Sequence, residues 1–487
     1  MATRTRLRAG VAALALALMP GPVAAGAAPG AGAAASSPRI AGLADFVDGV
    51  MAQQIATRDV AGAVVTVVHD GRVLFTRGYG LADIDRGIAV DGATTLFRPG
   101  SVSKMFTWAA LLQQVELGRV DLDADVNTYL DFIIPPFQGQ PIRVRDLLSH
   151  TPGMSDVSGI TAPTLDKLVP YGEWLKAHVP ERRWPAGTEI AYSNYGAALA
   201  GYIVERVSGE PFADYTERHI FAPLGMASTT FREPLPTALS PRMATGYRLD
   251  NAQLVARPFE LFGAVMPAGS ATTSAPDMTQ FMLALLDGGG GILKPASVRL
   301  LMADSAANVP GLPGMAHGFY VVRKAGPRIV GHGGNTGDFH SMMILAPEKR
   351  LGLFISETGG PGSCRGRTEL ADAMMGRLFP QSPAIRLAAP STEVLPTGAY
   401  RGNRRDYSRQ PDPTNDLIIS ANGSDALMMV NEGQTTHWQR IGPLMYERAT
   451  GARAGGPHDR LQFHSDAGGW RLSFASLPYA SYRLVKP

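Results

Sequence analysis

A strong hairpin pattern near the beginning of the chain limits what the rest of the sequence can fold into. In Ala61–Gly80, two runs rich in β-branched residues are joined at Asp70-Gly71, a dipeptide favoured in tight β-turns. A second β-rich stretch, between Arg328 and Glu357, alternates with turn residues and is typical of a meander. The long region between them has a mostly helical pattern. We therefore predict a mixed α/β (α+β) domain, with one antiparallel sheet closed by sequence-distant segments and a helical subdomain beside it.

The composition changes after this region. The segment Phe379–Pro396 is rich in Pro, Ser and Ala and is typical of a linker, and the residues after it form short apolar runs broken by Gly, Asn and Asp. Such spacing predicts a small C-terminal antiparallel barrel or sandwich. The predicted divisions are a signal peptide at 1–28, a flexible tether at 29–38, the main α/β domain at 39–380, a linker at 381–396 and the β-barrel domain at 397–487.

The first residues have the three-part layout of a secretory signal. Arg4, Arg6 and Arg8 precede the apolar run Val11–Met19, and small residues follow it. A membrane anchor is the alternative, but the run is about half the length needed to span a bilayer. We expect a periplasmic or secreted protein with no integral membrane segment after cleavage, since no later stretch is apolar for long enough.

Charge and cysteine content exclude several classes of function. The 487-residue chain has a formal net charge of +3 and no long basic run, so the electrostatic footprint of a nucleic-acid binder is missing. Cys364 is the only cysteine, which rules out an intrachain disulfide, and we interpret it as structural or incidental. No metal or organic cofactor is implied.

A serine and a lysine are spaced as neighbours on a helix in the stretch RPGSVSKMF. Pro99-Gly100 suits a turn that opens a helix, and residues three apart, such as Ser101 and Lys104, share a helix face. A buried lysine can lose its proton at neutral pH and act as the base for a serine nucleophile. The pair alone is a loose pattern that occurs readily by chance, and we find neither a G-x-S-x-G elbow nor an H-E-x-x-H zinc pair.

Further motifs, in a fixed order, give the pair its significance. The segments are FRPGSVSKMFT, LLSHTPGM, WPAGTEIAYSNYGAALAGYIVERVSG, FAPLGM, PAGSATTSAPDMTQFM and GHGGNTGDFHSMMILAP. Over roughly residues 40 to 380 the chain resembles the class C β-lactamase and penicillin-binding-protein-like serine hydrolases. That family brings S-x-x-K, Y-x-N and K-T-G-like motifs into one cleft. Their matches here are Ser101 to Lys104, Tyr192 to Asn194 and His332-Gly333-Gly334.

The resemblance implies a covalent mechanism. Ser101 would attack a carbonyl to give an acyl-enzyme, while Lys104 and the Tyr192 oxygen share the proton. A phenol near an ammonium ionises more easily, so the two groups should titrate as a unit. Asn194 would donate its amide to a substrate carbonyl, although an Asx-type turn also suits it.

The third motif would complete the substrate site. By analogy with the family, the oxyanion hole would come from the backbone N–H groups of Ser101 and Asn335. Gly333 and Gly334 would leave the strand bare, so that a substrate backbone can lie beside it. A plain turn is the competing interpretation of these two glycines.

His332 departs from the family pattern. Penicillin-recognising enzymes usually carry lysine there to hold the substrate carboxylate, whereas imidazole has no fixed charge at pH 7. Relatives with His-x-Gly at this place and an added barrel resemble D-aminopeptidases, and esterases of the same fold also vary there. The C-terminal domain is similar to lipocalin-like barrels that cover the cleft or help assemble subunits. A carbohydrate- or wall-binding module is the alternative.

The leading hypothesis is an exported serine hydrolase that cleaves amide or ester bonds in small peptides or short acyl esters through a Ser101 acyl-enzyme. A β-lactamase or D-alanyl-D-alanine carboxypeptidase acting on wall peptides is the alternative within the enzyme class. A catalytically silent ligand-binding protein of the same fold is the alternative outside it.

Overall fold

The computed structural model describes most of the chain. The described residues are 37–251, 253–323, 327–359, 361–380, 393–449 and 460–485. The predicted signal peptide and most of the predicted tether lie outside them, as do residues 381–392 of the predicted linker. No helix in these ranges is long and apolar enough to cross a membrane.

One antiparallel sheet organises the main domain. Its nine strands are β1 (Gly62–His69), β2 (Arg72–Asp83), β3 (Ile88–Ala89), β8 (Asp304–Ala306), β9 (Met315–Ala316), β10 (Tyr320–Arg323), β11 (Ile329–Asn335), β12 (Phe339–Ala346) and β13 (Leu351–Thr358). Their spatial order is β3-β2-β1-β13-β12-β11-β10-β9-β8. Because β1 pairs with β13, from Gly62 opposite Thr358 to His69 opposite Leu351, the predicted closure by sequence-distant segments is confirmed.

The hairpin between β1 and β2 has the turn that its sequence predicts. Asp70 and Gly71 both have positive φ, at 50° and 77°, as a two-residue hairpin turn matching the strand twist requires. Two short strand pairs lie outside the large sheet. They are β4 (Leu96–Phe97) with β7 (Thr273–Ser274), and β5 (Gly246–Asp250) with β6 (Gln253–Arg257).

Helices cover both faces of the sheet. The α-helices of the described residues are α1 (Leu43–Ala56), α2 (Lys104–Glu116), α3 (Val144–Leu148), α4 (Tyr171–Ala177), α5 (Asn194–Ser208), α6 (Phe212–Thr216), α7 (Met266–Gly269), α8 (Ala275–Leu286), α9 (Pro295–Met302) and α10 (Pro361–Leu378). Helices α1 and α10 pack on one face, and α2, α5 and α8 contribute to the core on the other. Successive strand residues point to opposite faces, so Val64 joins one core and Val65 the other.

The C-terminal region forms a closed antiparallel barrel, which confirms the barrel interpretation. Its eight strands are β14 (Gly398–Gly402), β15 (Leu417–Ala421), β16 (Ala426–Asn431), β17 (Gln434–Gly442), β18 (Met445–Arg448), β19 (Arg460–Asp466), β20 (Gly469–Phe474) and β21 (Tyr482–Leu484). Large side chains such as Tyr400, Trp438 and Phe463 pack its core. The residue boundaries of the domains stay predictions.

Candidate active site

Ser101 lies in a tight turn that leads directly into α2. A 3₁₀ turn spans Gly100–Ser103, and α2 begins at Lys104, so the two residues occupy adjacent positions on one helical face. Gly100 has φ of 53°, and a Cβ added there would lie 2.8 Å from the backbone nitrogen of Asn335. The glycine therefore permits both the turn and its close approach to β11.

The Lys104 amine has three hydrogen-bond partners. Its Nζ lies 3.0 Å from the Ser101 Oγ, 2.9 Å from the Asn194 Oδ1 and 2.6 Å from the carbonyl oxygen of Ala268. Two of these are carbonyl oxygens, which can only accept, whereas the Ser101 hydroxyl can also donate. An uncharged amine, with two N–H groups and one lone pair, therefore fits the site: it donates to the carbonyls and accepts from Ser101.

Burial favours this uncharged form. The Lys104 side chain is fully buried at the start of α2, and loss of hydration lowers its pKa well below the ordinary value of 10.5. The positive charge of Arg404 lowers the pKa further, and the negative charge of Asp156 acts in the opposite direction. The geometry and the electrostatics both fit a general base for Ser101.

Tyr192 is placed by the start of α5. The Ser193 hydroxyl caps this helix by accepting from the Gly196 N–H at 2.9 Å. Tyr192 is therefore the residue before the cap, and Asn194 is the first residue of the helix. The ring centroid of Tyr192 lies 4.8 Å from Lys104 Nζ. Its hydroxyl is buried; no contact to it within the described residues has full hydrogen-bond geometry, but the hydroxyls of Ser101 and Tyr320 are near enough to lower the pKa of Tyr192 by weak hydrogen bonding. Burial raises the pKa of Tyr192, and the charge of Arg404 opposes that rise.

A second buried histidine supports Tyr192. The His150 ring stacks on the Tyr192 ring with 4.2 Å between centroids, and His150 Nδ1 accepts from the Ser193 N–H at 3.2 Å. Burial lowers the pKa of His150 well below its usual range, and the charge of Arg404 acts in the same direction. The segment LLSHTPGM contributes to the family resemblance, but the sequence alone assigned His150 no role.

Strand β11 lies directly against the Ser101 turn. A Cβ added at Gly334 would lie 1.9 Å from the Pro99 carbonyl oxygen and 2.9 Å from the Ser101 nitrogen, whereas one added at Gly333 would approach no closer than 3.5 Å to Arg367. Of the two glycines, only Gly334 therefore lies where β11 contacts the turn that carries Ser101. The Asn335 backbone is at the same junction, as the expected oxyanion hole requires.

His332 is uncharged in this environment. Its Nδ1 lies 2.6 Å from the Gly333 carbonyl oxygen, which assigns the proton to Nδ1 and leaves Nε2 as an acceptor without a partner among the described residues. Burial lowers the pKa of His332 to about 3. The ring stacks on Tyr320 with centroids 4.3 Å apart. No hydrogen bond within the described part of the chain joins it to the Tyr192 hydroxyl.

The barrel contributes two residues that the sequence did not predict. The Tyr479 carbonyl oxygen accepts the Tyr192 N–H at 3.1 Å, and the ring of Tyr479 packs against Tyr320, with centroids 4.9 Å apart. The guanidinium carbon of Arg404 lies 4.5 Å from the Tyr192 ring centroid, a cation–π contact. No sequence motif marks either residue, because their positions depend on how the barrel docks.

A cluster of charged and polar groups joins the barrel to the segment of the main domain that precedes Tyr192. The Glu189 carboxylate is 2% exposed and lies 3.1 Å from Arg471 and 3.0 Å from Arg483, both on barrel strands. Asn403 donates to the same carboxylate at 2.8 Å and to the Ile190 carbonyl at 2.9 Å. We call these four side chains, Glu189, Asn403, Arg471 and Arg483, the Glu189 cluster.

The eight site residues predicted from the sequence all lie in one region of the molecule. Hydrogen bonds join Ser101, Lys104 and Asn194, and Tyr192 lies against the same lysine. The other four residues, His332 to Asn335, form the end of β11 beside the nucleophile turn. The catalytic roles assigned to them stay predictions.

The chain is similar in sequence to a known protein family and to curated proteins. A family model described as Beta-lactamase matches residues 47–373. The protein PbpX of Bacillus subtilis (strain 168) is 31% identical over 262 residues, which cover 52% of this chain and 61% of PbpX. The chain thus spans about three fifths of the length of the curated relatives that it matches first.

Solved structures share the fold. The octameric penicillin-binding protein homologue from Pyrococcus abyssi is 20% identical, with a TM-score of 0.63 over 90% of this chain and 100% of that one. EstCE1, described as a hydrolase with promiscuous acyltransferase activity, is 23% identical, with a TM-score of 0.57 over 69% of this chain and 98% of that one.

Proposed function

The chain belongs to the β-lactamase family, and on that premise we propose that it is an exported serine hydrolase. The proposed reaction cleaves an amide or ester bond in a small peptide or a short acyl ester. Ser101 is the nucleophile, and the enzyme passes through an acyl-enzyme.

The contact between Lys104 and Ser101 carries the proposal. A fully buried amine lies 3.0 Å from a serine hydroxyl and also contacts two carbonyl oxygens, so in its uncharged form it can donate to both carbonyls and accept the Ser101 proton with its lone pair. Such a lysine serves catalysis as a base, because the charged form is disfavoured by burial. A purely structural lysine would instead be expected to reach solvent or a carboxylate.

In the proposed mechanism the proton moves among Ser101, Lys104 and Tyr192. As Ser101 Oγ bonds to the substrate carbonyl carbon, its proton passes to Lys104 Nζ. The tetrahedral intermediate then collapses: the bond from the carbonyl carbon to the leaving amine or alcohol breaks, the Tyr192 hydroxyl gives that group a proton, and Lys104 returns a proton to the Tyr192 oxygen. Water then attacks the ester carbonyl of the acyl-enzyme and gives up a proton to the same pair. The bond between the carbonyl carbon and Ser101 Oγ breaks, the acid leaves, and the pair returns the proton to Ser101 Oγ. Backbone N–H groups of Ser101 and Asn335 would stabilise the oxyanion in both steps.

The state of His332 bears on the substrate class. A neutral imidazole with its proton committed to the Gly333 carbonyl provides no fixed positive charge on β11 for a substrate carboxylate. This favours peptide amides with a free amine, or simple esters, over penicillins and D-alanyl-D-alanine termini. A β-lactamase or carboxypeptidase remains the alternative within the enzyme class.

Covalent labelling tests the nucleophile. Incubation with a fluorophosphonate should add the probe mass to the intact protein, and Ser101→Ala should abolish the addition. Ser103→Ala is a matched control, because its hydroxyl donates to the Gly100 carbonyl in the same turn and has no place in the reaction. If the wild type gains no mass and turns over no substrate, the silent binding protein is the better interpretation.

A substrate panel tests the specificity. We expect p-nitrophenyl esters and D-Ala-p-nitroanilide to be turned over faster than nitrocefin. Faster nitrocefin turnover would favour the β-lactamase alternative. Assembly through the barrel is a separate proposal, supported by the octameric Pyrococcus abyssi homologue, and light scattering after gel filtration would test it.

A further inference from the structure

Arg404 brings a positive charge into the site from the other domain. It lies between β14 and β15 of the barrel, yet its guanidinium is held over the Tyr192 ring at 4.5 Å. Its Nε donates to Asp156 Oδ2 at 3.1 Å, and the Arg405 carbonyl accepts the Asp156 N–H at 2.9 Å. Contacts on both sides therefore fix the position of the guanidinium.

The remaining groups around Tyr192 and Lys104 supply no other positive charge, and Asp156 supplies a negative one. The titratable groups facing this pair are His150, His332, Tyr320, Tyr479, Asp156 and Arg404. Both histidines are buried and uncharged, and their rings stack on Tyr192 and Tyr320, respectively. Among these groups Arg404 is the permanent cation.

We infer that Arg404 is a positioning residue for the proposed reaction: from the barrel, it holds positive potential over Tyr192 and Lys104, which keeps the lysine amine uncharged and stabilises the tyrosine oxygen when it gives up its proton. The inference rests on the proposed function. According to this inference, the barrel supplies the positive charge near the reacting groups that the neutral His332 on β11 does not supply.

The direction of each effect follows from charge. A nearby cation disfavours a second positive charge, so the pKa of Lys104 falls, and it favours a phenolate, so the pKa of Tyr192 falls as well. After burial, Arg404 is the largest influence on the pKa of both groups. Because the cation–π contact points at the ring face, the guanidinium does not need to touch the reacting atoms.

The test compares four proteins: wild type, Arg404→Met, Arg404→Lys and Arg405→Met. The last is a matched control, since the Arg405 guanidinium carbon lies 3.9 Å from the Tyr407 ring centroid instead of the Tyr192 ring. The first readout is the pH dependence of kcat/KM for a neutral ester. The second is an NMR titration of lysine labelled with ¹³C at Cε, in which Lys104→Met identifies the Lys104 signal.

Loss of the cation should move both readouts to higher pH. In Arg404→Met we expect the acid limb of kcat/KM and the Lys104 titration to rise by about one pH unit, as for loss of a neighbouring like charge. Arg404→Lys should restore most of the shift, and Arg405→Met should match the wild type. Asp156→Asn should shift the Lys104 titration downward, because it removes a negative charge, and this variant serves if Arg404→Met does not fold.

Two results would overturn the inference. The first is a Lys104 titration that is unchanged in Arg404→Met, or in Asp156→Asn if Arg404→Met does not fold. The second is a rise in KM confined to substrates with a carboxylate, with an unchanged pH profile, which would make Arg404 a substrate-binding residue. The NMR readout needs no turnover, so the two failures are distinguishable: a shifted titration in a protein without hydrolase activity would refute the proposed function while showing that Arg404 still lowers the pKa of Lys104.

Discussion

The main-chain N–H of Tyr192 donates to the main-chain carbonyl of Tyr479, with 3.1 Å between nitrogen and oxygen. Tyr192 precedes α5 of the main domain, and Tyr479 lies between β20 and β21 of the barrel. The backbone position of the proposed catalytic tyrosine is thus set partly by the second domain. Changes at the interface between the two domains should therefore affect the chemistry as well as the stability.

Weakening the Glu189 cluster should lower stability and turnover together. Glu189→Gln removes the charge that two arginines share, and we expect the free energy of unfolding to fall by about 2 kcal/mol. Because Glu189 lies three residues before Tyr192, kcat should fall as well. Urea unfolding and steady-state kinetics measure the two effects.

The control for this prediction is Glu181→Gln. Glu181 forms an exposed ion pair with Arg183, so its loss should change the free energy of unfolding by less than about 0.5 kcal/mol. Equal effects of the two substitutions would show that the Glu189 cluster does not hold the domains together.

Tyr192→Phe should separate catalysis from folding. The hydroxyl is buried and makes no hydrogen bond of full geometry within the described residues, so its removal should cost little stability. We expect kcat/KM to fall about 10²- to 10³-fold with an unchanged melting temperature. Turnover near the wild-type rate would remove Tyr192 from the mechanism.

Lys104→Met should abolish base catalysis and reveal the cost of burying the amine. We expect a loss of kcat of about 10³-fold. The folded protein holds the pKa of Lys104 below 10.5, so the unfolded chain binds more protons in the range between the two values. The free energy of unfolding of the wild type should therefore rise relative to Lys104→Met as the pH increases toward 10.5, and the difference should level off above it.

Urea titrations at several pH values would measure this difference. A difference that does not vary with pH would mean that the pKa of Lys104 is the same in the folded and unfolded chains. That result would contradict its role as an uncharged base.

The two glycines of the third motif should respond differently to alanine. At Gly334 the new methyl would clash with the Pro99 carbonyl and press on the Ser101 nitrogen, so we expect activity to fall at least about 10²-fold as the expected oxyanion hole is displaced. At Gly333 the nearest atom is 3.5 Å away, an ordinary contact, and activity should be largely retained. The same ester assay measures both variants, and the opposite ranking would contradict the placement of β11.

Local patterns were sufficient to predict some features. The Asp70-Gly71 turn and the helical spacing of Ser101 and Lys104 are properties of short segments, and the structure contains both. The pairing of sequence-distant strands in one sheet was also predictable, because β-rich segments lie on either side of a helical region in the sequence. The order of motifs then indicated which distant residues would meet.

Other features depend on tertiary packing and could not be predicted from the sequence. Arg404 and Tyr479 enter the site only because the barrel docks against the segment before α5. The neutrality of His332 is a result of burial, which a residue name does not reveal. Glu189 resembles any surface carboxylate in the sequence, but in the fold it is 2% exposed.

The pairing of β1 with β13 has a consequence for synthesis. Val65 is opposite Ile355, so the centre of the sheet cannot form until most of the main domain has left the ribosome. Until then the β1–β2 hairpin exposes an apolar edge that could pair with another chain. Nascent chains that stop before residue 351 should therefore aggregate or need a chaperone, and chains extended through β13 and α10, which closes the core on one face of the sheet, should aggregate less.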